Sequence, residues 1–452
     1  MARKKKKGGS HPPARPGPKT LDPQQVCEDL VELYLLAVFG FFPLMIGTGD
    51  YGYASLVETK AKLWFGITVL WVLCLGGYLL WCKGRKMSVP AGFRWYHGIV
   101  LAFLAISVLS ACFSQSPGNS FLMISSSNTN SVLFMISYVT AFIGVSLFGS
   151  LRASYIRALG VSSFLSGLLA VIQLAGGNPL SMYPEGLNYY NKYKEYTGAY
   201  LGTLGNVDVL AAFLCFSVPV LAVYAWRSKC KWDRLLWIPA LLSLYVMIAS
   251  DVDAGKVGVL AGLLIVLPVI IRDPKWAKRA GIVCVGIAVL GVAIIYFWPA
   301  ESGFLYEASS LLHGHIDPSF GHDRVGIWQQ AWAAVVQKPV LGNGPGSGAW
   351  LLDIKTVNVE RNRIVSVRNA HNTYLGYFMD TGILGISCYL ILIGTGIFVW
   401  IKNRKDDLCA AFGAGAVWYL IQDFFNINVV TVAPLFWISL GLLAGKLNEK
   451  RR

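Results

Sequence analysis

Apolar residues occur in long blocks separated by short polar connections. The blocks fall at 29–47, 63–82, 95–113, 131–149, 157–176, 207–226, 235–250, 256–271, 280–298, 383–401, 409–425 and 428–447. Each is long enough, or nearly so, to cross ~30 Å of hydrocarbon at ~1.5 Å of helical rise per residue. The blocks at 235–250, 256–271 and 409–425 are the shortest. The pattern predicts an all-α membrane protein of about twelve transmembrane helices. It breaks once, between the ninth and tenth blocks, where one long extracytoplasmic loop containing short helices is expected. The expected organisation is a basic cytoplasmic tail (1–28), a membrane domain with spans one to nine (29–298), the loop (299–382), and spans ten to twelve with a cytoplasmic C-terminus (383–452).

Composition agrees with a membrane class. The chain is 55% hydrophobic and 14% charged, with a mean hydropathy of +0.53, against about 25% charged residues in soluble domains. The net charge of +15 would fit nucleic acid if it were clustered on a fold, but most of it sits in alternate short connections. These are K-G-R-K (83–86), R-S-K-C-K-W-D-R (227–234), R-D-P-K-W-A-K-R (272–279) and K-N-R-K (402–405). The connection 114–130 carries no charge. Basic connections stay inside, so both termini are expected in the cytoplasm and the long loop outside, with no nucleic-acid partner. The basic run Arg3–Lys7 leads into Gly, Pro and Ser rather than an apolar core, so it reads as a disordered tail and not as a signal peptide. None of the nine cysteines falls in 299–370, and no C-x-x-C occurs. Neither a disulfide framework nor a cysteine metal site is expected.

The long loop gathers the reactive side chains. It holds His313, His315, His322 and His371, with Arg324, Arg361, Arg363 and Arg368, and two compact signals, H-D-R-V-G-I-W-Q-Q-A-W (322–332) and A-H-N-T-Y-L-G-Y-F-M-D-T-G (370–382). Asp323 is placed to cap a helix that runs to Gln337 and stops at Pro339. Ile327, Trp328, Ala331, Trp332, Val335 and Val336 give that helix an apolar stripe. Arg324 then lies in the first turn, where a cation opposes the helix dipole unless an anion is bound beside it. L-G-N-G-P-G-S-G (341–348) lacks G-K-[ST] and reads as a flexible turn or a backbone anion cradle. His313 and His315 lack convergent partners, so no metal is expected. His371 stands between Arg368 and Asn372, just before a helix carrying Tyr374, Tyr377 and Asp380. S-D-V-D-A-G-K (250–256), with Asp251, Asp253 and Lys256, is either a polar turn or a site of acid–base chemistry. The tyrosine-rich stretch 177–206 suits an interfacial aromatic belt or sugar stacking.

Taken together, the motifs resemble the O-antigen ligase and O-antigen polymerase family of polytopic membrane glycosyltransferases. The resemblance covers residues 130–445. It rests on the twelve-span plan with both ends inside, G-T-L-G-N-V-D-V-L-A (202–211), the R-x-x-x-W helix followed by P-V-L-G-N-G-P-G (339–346), and A-H-N-T-Y-L with D-T-G-I-L-G (370–385). It implies metal-independent, inverting transfer of a glycan from an undecaprenyl-diphosphate carrier to a glycan or lipid-linked acceptor at the outer membrane face, with no cofactor. Arg324 and His371 match the family's functional arginine and histidine. The family's second arginine, in S-R-G-A, is missing. Asp253 stands in its place, so Lys256, Arg361, Arg363 and Arg368 are the alternative diphosphate contacts, with Asp251, Asn372, Tyr374 and Asp380 as secondary candidates. A transporter or lipid flippase is the rival class. It fits less well, because no internal repeat is evident and the blocks are nearly free of charge at their centres.

Overall fold

The computed structural model describes residues 22–89, 92–124, 129–191, 194–298, 300–352, 354–358 and 363–449. Among the described residues ten α-helices precede the long connection: α1 (Pro23–Leu36), α2 (Leu56–Gly84), α3 (Trp95–Cys112), α4 (Pro117–Leu122), α5 (Val132–Phe148), α6 (Ala153–Leu174), α7 (Val207–Arg227), α8 (Trp237–Ala249), α9 (Asp253–Ile270) and α10 (Pro274–Phe297). The connection holds α11 (Gly303–Leu312), α12 (Arg324–Gln337) and α13 (Gly348–Leu351). The chain then closes with α14 (Thr373–Lys402), α15 (Asp407–Asp423) and α16 (Ala433–Glu449). Each predicted apolar block contains a helix. Among the described residues, eight helical segments are long and apolar enough to cross a membrane, and α5 is a shorter apolar helix. The protein is an all-α membrane protein.

Two small hairpins interrupt the helical pattern. β1 (Tyr200–Leu201) pairs with β2 (Gly205–Asn206), and β3 (Ile354–Asn358) pairs with β4 (Arg363–Val367), both antiparallel. The second hairpin adds strand structure to the loop, beside the short helices expected there. Its sequence, I-K-T-V-N against R-I-V-S-V, carries the β-branched residues that favour strands.

The core is organised around α7, nearly all of which is buried, and α15 packs along it. A small-residue run on α15 lets the backbones approach. A Cβ on Gly415 would lie 2.3 Å from Val220 Cγ2 and 2.8 Å from the Phe216 carbonyl. By contrast α10 buries only Ala277 and Cys284, which makes it a peripheral, lipid-facing helix.

Ion pairs gather the basic connections onto one face. Arg152 pairs with Glu28 (3.1 Å) and Glu32, and Arg157 with Asp233 (2.8 Å). Arg227 and Arg272 both reach Asp407, Lys446 reaches Asp406, and Arg94 donates to Asn448. The C-terminal ends of α7, α9 and α14 lie at this face. Their N-terminal ends therefore lie at the opposite end of the bundle, and the candidate site is built there.

Candidate functional site

A cavity of about 320 Å³ opens where four helices begin. Val207 and Asp208 start α7, Asp253 and Ala254 start α9, Arg324 starts α12, and His371 precedes α14; all line the cavity. Local sequence fixes two of these starts. The Asn206 side chain accepts from the Asp208 N–H (2.8 Å) and the Asn372 side chain accepts from the Leu375 N–H (2.9 Å), the usual satisfaction of free donors at a helix N-terminus. The expected cap on α12 is different. Asp323 has a left-handed backbone (φ 65°) and its side chain makes no capping bond. The preceding turn caps it instead, with the Gly321, Phe320 and Pro318 carbonyls accepting from the N–H groups of Arg324, Val325 and Gly326. Each helix N-terminus presents a partial positive charge of about half a unit, so four of them around one cavity favour an anion.

Arg324 adds a full positive charge. One guanidinium nitrogen donates to the Gly321 carbonyl (3.0 Å), while its Nε is buried with no partner among the described residues. His371 is part-buried, and its Nδ1 is likewise buried and unpartnered. Burial, and then the neighbouring Arg324 charge, push the imidazole down to about 4, opposed in part by Asp208. It is therefore neutral near pH 7 and able to accept a proton. Asp251 and Asp253 also line the cavity, and both accept from Lys256. Three lining residues, Asp251 (φ 57°), His322 (φ 57°) and His371 (φ 44°), hold a left-handed backbone. Strain of this kind costs on the order of 1–3 kcal/mol per residue and collects at functional sites.

Residues 238–390 match the family described as O-antigen ligase. The match supports the resemblance to the O-antigen ligase and O-antigen polymerase family. It is also similar to the exopolysaccharide production protein ExoQ of Rhizobium meliloti, at 22% identity over 267 residues, covering 52% of this chain and 61% of that protein. The chain thus spans about three fifths of the length of this relative. The O-antigen ligase match starts in α8 and ends in α14. It includes Asp251, Asp253, Arg324 and His371, while Asp208 lies outside it.

The remaining candidates are distributed around the cavity. Lys256 is not among its lining residues and is engaged by two carboxylates that are. Arg368 is exposed and lines a second cavity of about 300 Å³, which shares Asp208, Val367 and His371 with the first. Arg361 lies outside the described residues, and so does the side chain of Arg363, whose backbone opens β4. Asn372 and Tyr374 line an apolar groove of about 530 Å³ on the other side of α12, with Trp328, Trp332, Phe378 and Phe424. The Tyr374 hydroxyl donates to the Leu420 carbonyl (2.8 Å). His313 stacks on Tyr296 at 4.3 Å. Among the described residues no group of three His, Cys, Asp or Glu side chains is placed to hold a metal. The tyrosines of 177–206 pack on tyrosines: Tyr183 on Tyr53 of the turn before α2 (5.1 Å), and Tyr196 on Tyr200 (4.7 Å).

Asp380 is used internally. The glycine-rich segment is an anion cradle, and the anion it holds is this carboxylate. Gly346 N–H (2.9 Å), Ser347 N–H (3.0 Å) and Ser347 Oγ (2.6 Å) all donate to it. The same segment fills a break in α14 at Gly382 (φ 63°). Asn343 N–H donates to the Met379 carbonyl, Gly344 N–H to Asp380, and Ile383 N–H to Pro339, so the backbone groups freed by the break are paired. A Cβ on Gly382 would sit 2.2 Å from the Val340 carbonyl oxygen.

The sequence reading missed Asp208 and Asp423. Asp423 is buried beneath the start of α14 and accepts from Thr373 Oγ1 (2.8 Å). An aspartate in the first turn of a predicted helix has an ordinary capping explanation, and only the tertiary fold brings Asp208 to His371.

Proposed function

We propose that this protein is an O-antigen ligase-type glycosyltransferase. It moves a glycan from an undecaprenyl-diphosphate carrier to an acceptor hydroxyl at the outer face of the cytoplasmic membrane. The observation that carries this reading is Arg324 and a neutral His371 sharing a cavity ringed by helix N-termini. The partial match to the O-antigen ligase family and the basic face at the far end of the bundle support it. By the positive-inside rule that far face is cytoplasmic, which leaves the site outside.

The chemistry follows from charge. Arg324 and the helix N-termini hold the diphosphate and stabilise the negative charge it gains as it leaves. The arginine fork binds two phosphate oxygens. The acceptor oxygen attacks the anomeric carbon from the side opposite the diphosphate, and its proton passes to His371. The bond from the anomeric carbon to the phosphate oxygen breaks, and its electron pair leaves with the diphosphate. The configuration inverts. The apolar groove across α12 suits the first isoprene units of the carrier. Positive charge from the protein makes a metal unnecessary, so transfer should persist in EDTA. Lys256 can serve as the second cation only by exchanging its aspartate partners for phosphate.

A second reading, polymerisation of lipid-linked repeat units, is favoured by the relative named for exopolysaccharide production. Deleting the gene and resolving the surface glycan by gel separates the two. Polymer stranded on its lipid carrier marks a ligase, and loss of long chains with single-repeat glycan retained marks a polymerase. Unchanged surface glycan would remove both.

A further inference from the structure

We propose that the second cavity is the subsite for the acceptor sugar. This inference rests on the transferase reading above. A transferase with two substrates needs two compartments that meet where the bond forms. The two cavities are of similar size, about 320 and 300 Å³, and their common wall is Asp208, Val367 and His371. The first compartment carries Arg324 and the converging helix starts. The second has a different character. Tyr200, Asn206, Asn369, Asn426 and Thr431 give it hydroxyl and amide groups, set beside apolar surface from Val57 and Leu204. Arg368, at the second compartment, is exposed. Amides and hydroxyls interleaved with apolar patches suit a sugar ring, which has polar edges and C–H faces. They suit a diphosphate less well than the first compartment does, because Asp208 offsets the charge of Arg368 among the lining residues.

An independent observation points to a ligand here. Thr431 is fully buried and lines the compartment, and its Oγ1 has no hydrogen-bond partner among the described residues. A buried hydroxyl left unmatched is costly, and a bound sugar hydroxyl would satisfy it. The volume lies at the lower end of the range for small-molecule sites, ~300–1,000 Å³, which is room for the terminal sugar of a longer chain. A sugar seated there presents its hydroxyl to the shared wall, where Asp208 lies beside His371 and the His371 imidazole can take the proton. The assigned ligand is thus a neutral saccharide terminus, with Thr431, Asn369 and Tyr200 as its recognition groups.

The test uses the full-length protein in a deletion strain, with the cell's own lipid-linked glycan as the probe. Thr431→Val removes the unmatched hydroxyl at constant shape, and Val57→Phe fills the compartment from α2. Each variant is purified, its detergent-solubilised size profile is checked, and lipid-linked glycan carried with it is quantified by mass spectrometry. The expected result is a drop in surface glycan of about tenfold for Thr431→Val and more for Val57→Phe. Co-purified donor should stay within twofold of the parent. Arg324→Ala is the contrasting control, expected to lose the donor. Normal surface glycan in Val57→Phe would overturn the assignment, and so would loss of bound donor in both compartment variants. If the parent protein itself carries no lipid-linked glycan and its deletion leaves surface glycan intact, the transferase reading fails first.

Discussion

Two arginines at opposite ends of the bundle show how the same residue type is used in two ways. Arg227, at the basic face, is saturated. It donates to Asp407 (3.0 Å) and to the carbonyls of Ile270 (3.2 Å), Arg404 (2.8 Å) and Lys405 (3.0 Å), tying the ends of α7 and α9 to the turn before α15. Arg324, at the cleft, makes one bond to a local carbonyl and leaves its Nε unmatched. His371 beside it is unmatched too. Native proteins pair nearly all buried polar groups, and departures from local consistency mark functional sites. The basic face has its arginine fully paired, whereas the cleft keeps two buried nitrogens without a partner among the described residues.

The comparison can be broken at either end. His371→Ala is expected to have the largest effect, a fall in transfer of about 10²–10⁴-fold, with insertion and donor binding kept. A turnover assay on purified protein checks this. Near-normal turnover in His371→Ala together with a dead Asp253→Ala would move the base to the start of α9. Arg227→Ala should act on stability instead. Removing one partner of a buried pair costs about 3–5 kcal/mol, to be read as a lower melting temperature and lower abundance with turnover per molecule unchanged. An unaltered melting temperature would erase the contrast between the faces. Arg324→Lys keeps the charge but loses the planar fork, and a drop of about 10²-fold is expected. Full activity in a transfer assay would take Arg324 out of the diphosphate role.

Acidity sharpens the same contrast. Because the His371 imidazole is held near 4 in the folded protein, the free-enzyme rate should hold steady as pH falls through 6.5 and decline only as pH 4 is approached. Between those values the unfolded chain binds the proton first, so the stability contribution is complete above about 6.5 and diminishes as pH falls toward 4. A bound diphosphate offsets the Arg324 charge, so the limb for kcat should lie above that for kcat/KM. A single limb near 6.5 in both profiles would mean that His371 is solvated and away from Arg324. The smallest effect belongs to Arg272→Ala. That side chain is half exposed and its loss leaves Asp407 paired with Arg227, so it should cost less than about 1 kcal/mol in thermal unfolding.

Local patterns carried much of this architecture. Apolar blocks gave the helices, and the limits of α12 followed from its periodicity and from Pro339. His371 and Arg324 stood out because each sits beside a helix start and matches a family motif. The rest depended on tertiary geometry. Asp208 reaches His371 only because α7 and α14 begin at the same end of the bundle. The left-handed backbones of Asp251 and His322 leave no mark in residue type, since both residues are common in loops. Asp323 had the right identity for a cap and the wrong backbone. The glycine-rich segment was read as a turn or a cradle, but its anion could not be named, because Asp380 lies on a later helix. The β3–β4 hairpin had a visible signal in its β-branched residues, masked by the expectation of helices.

The glycine-rich cradle has a practical consequence for genetics. Gly342 and Gly382 leave no room for a side chain. A Cβ on the first would lie 2.5 Å from the Asp380 backbone, and one on the second would strike Val340. Substitutions there will abolish surface glycan as completely as substitutions at His371, so a screen scored by phenotype alone will rank both groups together. Protein level separates them. Cells carrying Gly382→Ala should contain little of the protein, and cells carrying His371→Ala should contain a normal amount of an inert one.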